Sequence, residues 1–394
     1  MLVLADPFAL ARYAGHTTLT SFKAALLGVA VALVVRGALR LPREGAARAS
    51  LFALAGLIVA TAATVPLAHF RAPAIRETLK AVEYALVFLF AWCAAREQPA
   101  AARLTGAACG VAVVAVVLDA LRDYRHPQSG LWYHGEAITR IAGHLEGPNQ
   151  LAAWLGVALP AAIAALDDAL LVAVVATLGG FALALTLSRG GIAQAVAGVA
   201  GALYARVRAT PRAVRVTSIV FAAAFVLALG GLAAATRSGA ALVRVSSVDS
   251  SVDLGGTGSR AILWPAALAM ARAHPILGVG AGNFELELPS YGAPRRVRTH
   301  ANSLYLEALA DGGIVLLAAT IAAALVPPLA LLRARGAPLV PAVAIAGLAL
   351  AAHGVIDDVT FYTKVGQMWW VVAGVAAACA RASSSSPSAI PGTR

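Results

Sequence analysis

Eleven apolar runs, most of them close to 20 residues long and joined by connections that carry arginine, make up most of this 394-residue chain. They lie near residues 21–39, 50–68, 81–95, 101–118, 149–166, 169–187, 191–206, 214–235, 313–332, 337–355 and 362–380. About 20 apolar residues in a helix span the roughly 30 Å of bilayer hydrocarbon, where only helices and closed barrels satisfy their own backbone. The runs are rich in Ala and Leu with no period of two, so they predict helices. With 60% apolar and 13% charged residues and a mean hydropathy of +0.79, one globular core could not hide this surface from water. A soluble enzyme is thereby excluded, and the expected fold class is an all-α, polytopic membrane helix bundle. Disorder and a disulfide scaffold are also excluded, since the low charge opposes the first and three cysteines oppose the second. Cys93, Cys109 and Cys379 read as small core residues, with no bridge and no metal site expected. No cleavable signal peptide is expected either, because Asp6, Pro7 and Arg12 interrupt the start.

Short cytoplasmic connections collect Lys and Arg, and the cations here sort into two faces. One holds Arg36, Arg40, Arg43, Arg48, Arg96, Arg103, Arg206, Arg208, Arg212, Arg215, Arg333, Arg335, Arg381 and Arg394 against Glu44, Glu97, Asp167 and Asp168. This is the expected cytoplasmic face. The remainder, mostly the other face, is nearly neutral and includes the long connections 119–148 and 236–312, with five of the eight histidines. The net charge of +12 is then mainly a matter of topology, and no nucleic-acid partner is expected. The expected division is a transmembrane bundle over 1–235, an external loop with amphipathic helices over 236–312, further transmembrane helices over 313–380 and a disordered cytoplasmic tail over 381–394.

Chemistry is expected on the external face. In TLSRGG, Arg189 follows Ser188, a candidate helix cap, and precedes two glycines that allow close backbone approach; this suits an anion, or else an arginine that snorkels to the interface. Arg260 opens a predicted surface helix that starts at Ser259, kinks at Pro265 and ends at His274–Pro275. A cation in a first turn is unfavourable, so a ligand anion or a salt bridge to Asp249 or Asp253 is expected to compensate. The GVGAGN turn lacks the setting of a dinucleotide site and is set aside. His300, close to Arg295, Arg296 and Arg298, is the natural base, or alternatively a solvated or capping residue. Glu307 and Asp311 read as partners of nearby arginines. Arg71, Arg76 and Lys80 suit a polyanion, Arg76 and Lys80 being one helical turn apart, and Arg140, His144 and Asn149 stand at the start of the fifth run.

The order RIAGHLEGPNQLA, LTLSRGG, TGSRAILWPAALAMARAHPILGVGAGNF and THANSLYLEALADGGIVLL, across most of residues 140–320, resembles the O-antigen ligase and polymerase family of bacterial glycan-assembly membrane proteins. The resemblance implies a GT-C-like bundle of about 11 to 12 transmembrane helices in the inner membrane. It implies a periplasmic active site, an undecaprenyl-pyrophosphate-linked glycan donor and, for a ligase, a lipid A-core acceptor. No metal or other cofactor is implied, and the remaining partners are membrane lipids. Carried over residue by residue, Arg189 and Arg260 would hold the pyrophosphate and His300 the acceptor hydroxyl, with Arg71, Arg76, Lys80, Arg140, Arg298 and Asn302 as substrate contacts. The family has both ends in the cytoplasm, so an initial helix is expected to be missing here. A polymerase of the same family, or a transporter of lipid-linked glycan, are the alternatives.

Overall fold

The computed structural model describes residues 2, 11–14, 17–124, 130–133, 136–209, 260–295, 297 and 299–381. The runs become helices α1 (Ser21–Val35), α2 (Gly45–Thr64), α3 (Arg71–Arg96), α4 (Ala101–Ala120), α5 (Pro148–Ala165), α6 (Ala169–Thr186) and α7 (Arg189–Ala209). After the surface helix α8 (Arg260–Ala273) come α9 (Leu304–Arg333), α10 (Leu339–His353) and α11 (Thr363–Cys379). By length and composition α2, α3, α4, α6 and α9 can cross a membrane, and α1 and α10 are shorter apolar helices. The chain is a polytopic helical membrane protein. Ten of the expected runs coincide with helices; the eleventh, 214–235, lies outside the described residues, as do Asp249, Asp253, Ser259, Arg296, Arg298 and the tail beyond 381.

Local chemistry sets the helix ends. Thr20 caps α1 through Lys23 N–H at 3.2 Å, Asp168 caps α6 through Leu171 N–H at 2.9 Å, and Pro148 opens α5, where its missing N–H costs nothing. Two helices, α3 and α9, begin well ahead of their apolar runs. α3 starts at Arg71; within Arg71–Lys80, Glu77 and Lys80 line a cavity while Arg71, Ile75, Arg76 and Leu79 are exposed. α9 starts at Leu304, capped by Ser303, and breaks at Gly312 and Gly313, so a polar segment precedes the apolar one. Helix α8 runs through Pro265. The stretch 119–148, expected as loop, contains the turn Leu121–Tyr124 and a hairpin pairing Gly130 with Thr139 and Tyr133 with Glu136.

The core centres on α5, in which every residue from Gln150 to Ala164 is buried, with α11 buried from Val365 to Ala377. Leu27, Phe52, Val59 and Leu170 of outer helices are exposed. In hydrocarbon an outward leucine costs little, so close packing of small side chains, of which α5 and α11 have many, decides which helices are central. The helices alternate direction, so the bundle has two ends. One gathers the arginine-bearing connections; the other gathers the starts of α3, α5, α7, α9 and α11 and carries α8.

Candidate functional site

The nine-residue connection from Gly354 to Tyr362, between α10 and α11, is where most of the candidate residues meet. On one side of it stands Arg260, whose guanidinium donates to the Ile356 carbonyl. Its Nε is buried without a hydrogen-bond partner among the described residues. The start of α7 lies against the same segment, since a Cβ on Gly190 would come 2.5 Å from His353 Nε2 and 3.1 Å from Ile356 Cδ1. Arg189 is therefore launched, half-buried, beside the strip that holds Arg260. The left-handed Leu187 (φ 50°) ends α6, and Ser188 Oγ accepts from Gly191 N–H at 3.3 Å, capping α7 as its sequence implies.

Arg140 braces this corner. It donates from Nε to Thr186 O at 2.6 Å and from Nη2 to Asn149 Oδ1 at 2.7 Å, and Asn149 Nδ2 donates to Asp357 Oδ2 at 2.5 Å. His144, in the same region, holds Asp119 through Nδ1 at 2.7 Å.

On the other side of the connection, the half-buried His300 ring packs against Phe361 with centroids 5.1 Å apart and planes at 32°. His300 Nδ1 accepts from the Asn302 N–H at 3.2 Å, Asn302 lying in the left-handed region at φ 53°. Asp358 is buried beside them and accepts from Thr360 N–H at 3.2 Å and from its hydroxyl at 3.0 Å. Burial pushes the Asp358 carboxyl above the ordinary carboxylate range, against the opposing pull of His300 and Lys80. Lys80 pairs with Glu77 at 2.5 Å and donates to Phe361 O at 3.1 Å. Glu77, Lys80, Glu307, Asp311, Asp358 and Thr360 line a cavity of about 130 Å³.

The expectation for Glu307 and Asp311 is corrected here. Glu307 and Asp311 do not pair with arginine among the described residues. Glu307 accepts from Ala301 N–H at 2.6 Å, fixing the backbone just after His300. Asp311 accepts from Gly282 N–H at 2.6 Å and Phe284 N–H at 2.8 Å. The GVGAGN turn, with Gly278, Gly280 and Gly282 at φ 60°, 109° and 69°, thus wraps its amides around the chain's own carboxylate. Lys80 is committed to Glu77 and Phe361, whereas Arg71 and Arg76 are exposed and have no hydrogen bond or ion pair among the described residues. Arg140 spends two of its donors on the protein. Arg298 lies outside the described residues.

The sequence reading passed over Asp357, Asp358 and His353. The signal was present in GVIDDVTFY: two adjacent acids in a short link between apolar runs are costly unless something nearby uses them.

Residues 172–321 match the family described as O-antigen ligase. That stretch contains Arg189, Arg260, His300 and Asn302, while Lys80, Arg140 and the 354–362 connection lie outside it. No curated protein matches the chain. The order of motifs and the helical bundle agree with this match, which relates residues 172–321 to the O-antigen ligase and polymerase family, whose members carry out glycosyl transfer between a lipid-linked glycan and an acceptor.

Proposed function

We propose that the protein is an O-antigen ligase: a metal-independent, inverting glycosyltransferase that moves a glycan from undecaprenyl pyrophosphate to a lipid A-core sugar hydroxyl at the periplasmic face of the inner membrane. The observation that carries this reading is the convergence of the Arg260 guanidinium, the start of α7 at Arg189 and the His300 ring on one short connection. Two functions are needed in such a transfer, and both have candidates there. As the anomeric carbon–oxygen bond breaks, its electron pair passes to the leaving diphosphate, and guanidinium forks from Arg189 and Arg260 stabilise that charge. On the opposite face of the sugar, the acceptor oxygen forms the new bond while its proton passes to His300.

The hydrogen bond at Nδ1 supports one choice of nitrogen for that proton. With Nδ1 accepting from Asn302, the neutral ring carries its hydrogen on Nε2, so the basic lone pair is on Nδ1. A bond of 3.2 Å is long enough for an arriving hydroxyl to displace. The other charged residues divide in this reading: Lys80 and the cavity carboxylates border the acceptor side, Arg140 braces the donor side, and Arg71 and Arg76 meet lipid phosphates or the glycan from outside.

Mass analysis of lipopolysaccharide from cells with and without the gene, complemented by wild type or by His300→Ala, tests the reading. A ligase leaves finished polymer on the lipid carrier when His300 is lost. Core capped by a single repeat would assign the chain to the polymerases instead, and unchanged capped lipopolysaccharide would remove His300 from the mechanism.

A further inference from the structure

His353 closes α10 with its side chain only 5% exposed, and the mechanism above makes no use of it. Its ring faces α7. Nδ1 lies 2.8 Å from Gln194 Oε1, and because that oxygen accepts, His353 is the donor. Gln194 is itself held, donating from Nε2 to Ala153 O on the central helix α5 at 3.0 Å. One turn earlier on α7 the same ring presses on Gly190, where a Cβ would come 2.4 Å from its Cδ2. The side chain therefore fixes the first turn of α7, which launches Arg189. The backbone of the same residue fixes the other arginine: His353 O accepts from Ile356 N–H at 3.0 Å and Asp357 N–H at 3.1 Å, closing the turn whose Ile356 carbonyl takes the Arg260 guanidinium.

We propose that His353 is a positioning residue that sets the spacing between Arg189 and Arg260, and through it the preference of the site for a diphosphate over a monophosphate. One phosphate needs one guanidinium in place, whereas two linked phosphates need both at a fixed separation. The proposal rests on the donor reading above, so its test measures binding without transfer. Full-length protein in nanodiscs is titrated with farnesyl diphosphate and farnesyl monophosphate.

Wild type should prefer the diphosphate. His353→Phe keeps a ring against Gly190 but loses the bond to Gln194; it should weaken diphosphate binding by about tenfold, the effect of one buried hydrogen bond, and leave monophosphate binding within about twofold. His353→Asn, whose amide nitrogen stands near the position of Nδ1, should restore most of the preference. Should His353→Phe fail to fold, Gln194→Leu removes the same bond from the other side and carries the same expectation. If wild type discriminates and these variants discriminate equally, or lose both ligands together, the positioning role is overturned while the donor reading stands. If wild type binds both probes alike, the donor reading falls and the positioning role with it.

Discussion

Both ends of the bundle hold arginine, but in different company. At the end made by the 36–48, 96–103, 166–168, 206–209 and 333–339 connections, Arg48, Arg96 and Arg103 rest on aromatic rings or meet an exposed acid, and Arg206 alone of those discussed is buried against backbone carbonyls. Arg96 lies 4.8 Å from the Trp92 ring, Arg48 lies 5.2 Å from the Phe52 ring, and Arg103 reaches Asp167 at 3.9 Å with both side chains well exposed. At the other end arginines meet backbone carbonyls of the 354–362 connection and of the α6 end, and the carboxylates around them are buried. Sorting by topology accounts for the first end, because positive charge on short connections sets orientation and needs no particular geometry. The second end is arranged atom by atom, and buried ionisable groups at a membrane surface are costly enough to require a use.

The largest effect should come from the second end. His300→Ala should lower transfer by roughly 10²–10⁴-fold, the range for loss of a general base, while the amount of folded protein in the membrane stays at the wild-type level. Quantified capped lipopolysaccharide together with a folding-reporter or size-exclusion profile checks both halves. A proportional loss of folded protein would break the comparison, since His300 would then be structural like the cations at the opposite end.

Arg206 sharpens the comparison from the other side, because it is buried (7% exposed) at the arginine-rich end. It donates to Ile163 O at 2.7 Å and also to Leu166 O, carbonyls at the end of α5 that have no further helical turn to satisfy them. Arg206→Ala should cost about 2–4 kcal/mol of stability, read as a lower unfolding temperature in detergent, with transfer per folded molecule unchanged. Lost transfer at full stability would mean that this end has chemistry of its own.

How much of this was legible in the sequence depended on whether a residue's partner was near in the chain. The helices were, since an apolar run of the right length has one outcome in hydrocarbon, and so was the Ser188 cap three residues before the amide it accepts. The early starts of α3 and α9 were legible in part, since Arg76 and Lys80 stand one helical turn apart and Glu307 and Asp311 have helical spacing; that Glu77, Lys80, Glu307 and Asp311 share one cavity was not. The hold of Thr186 on Arg140 was not legible either, because Thr186 is 46 residues away and gives no local sign of it. Asp311 looked like an arginine partner for the same reason: its true partners are the amides at Gly282 and Phe284. Asp358 and His353 went unread because each is defined by residues far away in sequence, Lys80 and His300 for one, Gln194 for the other.

Asp358 offers a pH test of the same contrast. Its carboxyl is held above the ordinary value of about 3.9 by burial. A carboxyl raised in the folded state binds a proton more tightly there than in the unfolded chain. The stability it contributes is fully present below the ordinary value and declines as pH rises toward the raised one, by up to about 1.4 kcal/mol for each pH unit separating them. Asp358→Asn should flatten that decline, seen as unfolding temperatures that change less across the acid-to-neutral range than those of wild type. An unchanged slope would mean that Asp358 is no more costly to ionise than the exposed acids of the opposite end.

The smallest effect belongs to Arg103. Its pair with Asp167 spans 3.9 Å with side chains 69% and 79% exposed, so water and salt screen most of the attraction, and fixing two flexible side chains offsets much of what remains. Arg103→Ala should change stability by less than about 0.5 kcal/mol and leave transfer at the wild-type rate. What it removes is one positive charge from a short connection, which acts when the helices insert and not once they have packed. Removing Arg96 as well should therefore change the fraction of chains inserted in the native orientation, measured by protease or cysteine-labelling access in intact cells, before it changes the activity of those correctly inserted. If activity per correctly inserted molecule fell instead, the arginines at this end would be as exactingly placed as Arg189 and Arg260, and the contrast between the two ends would be lost.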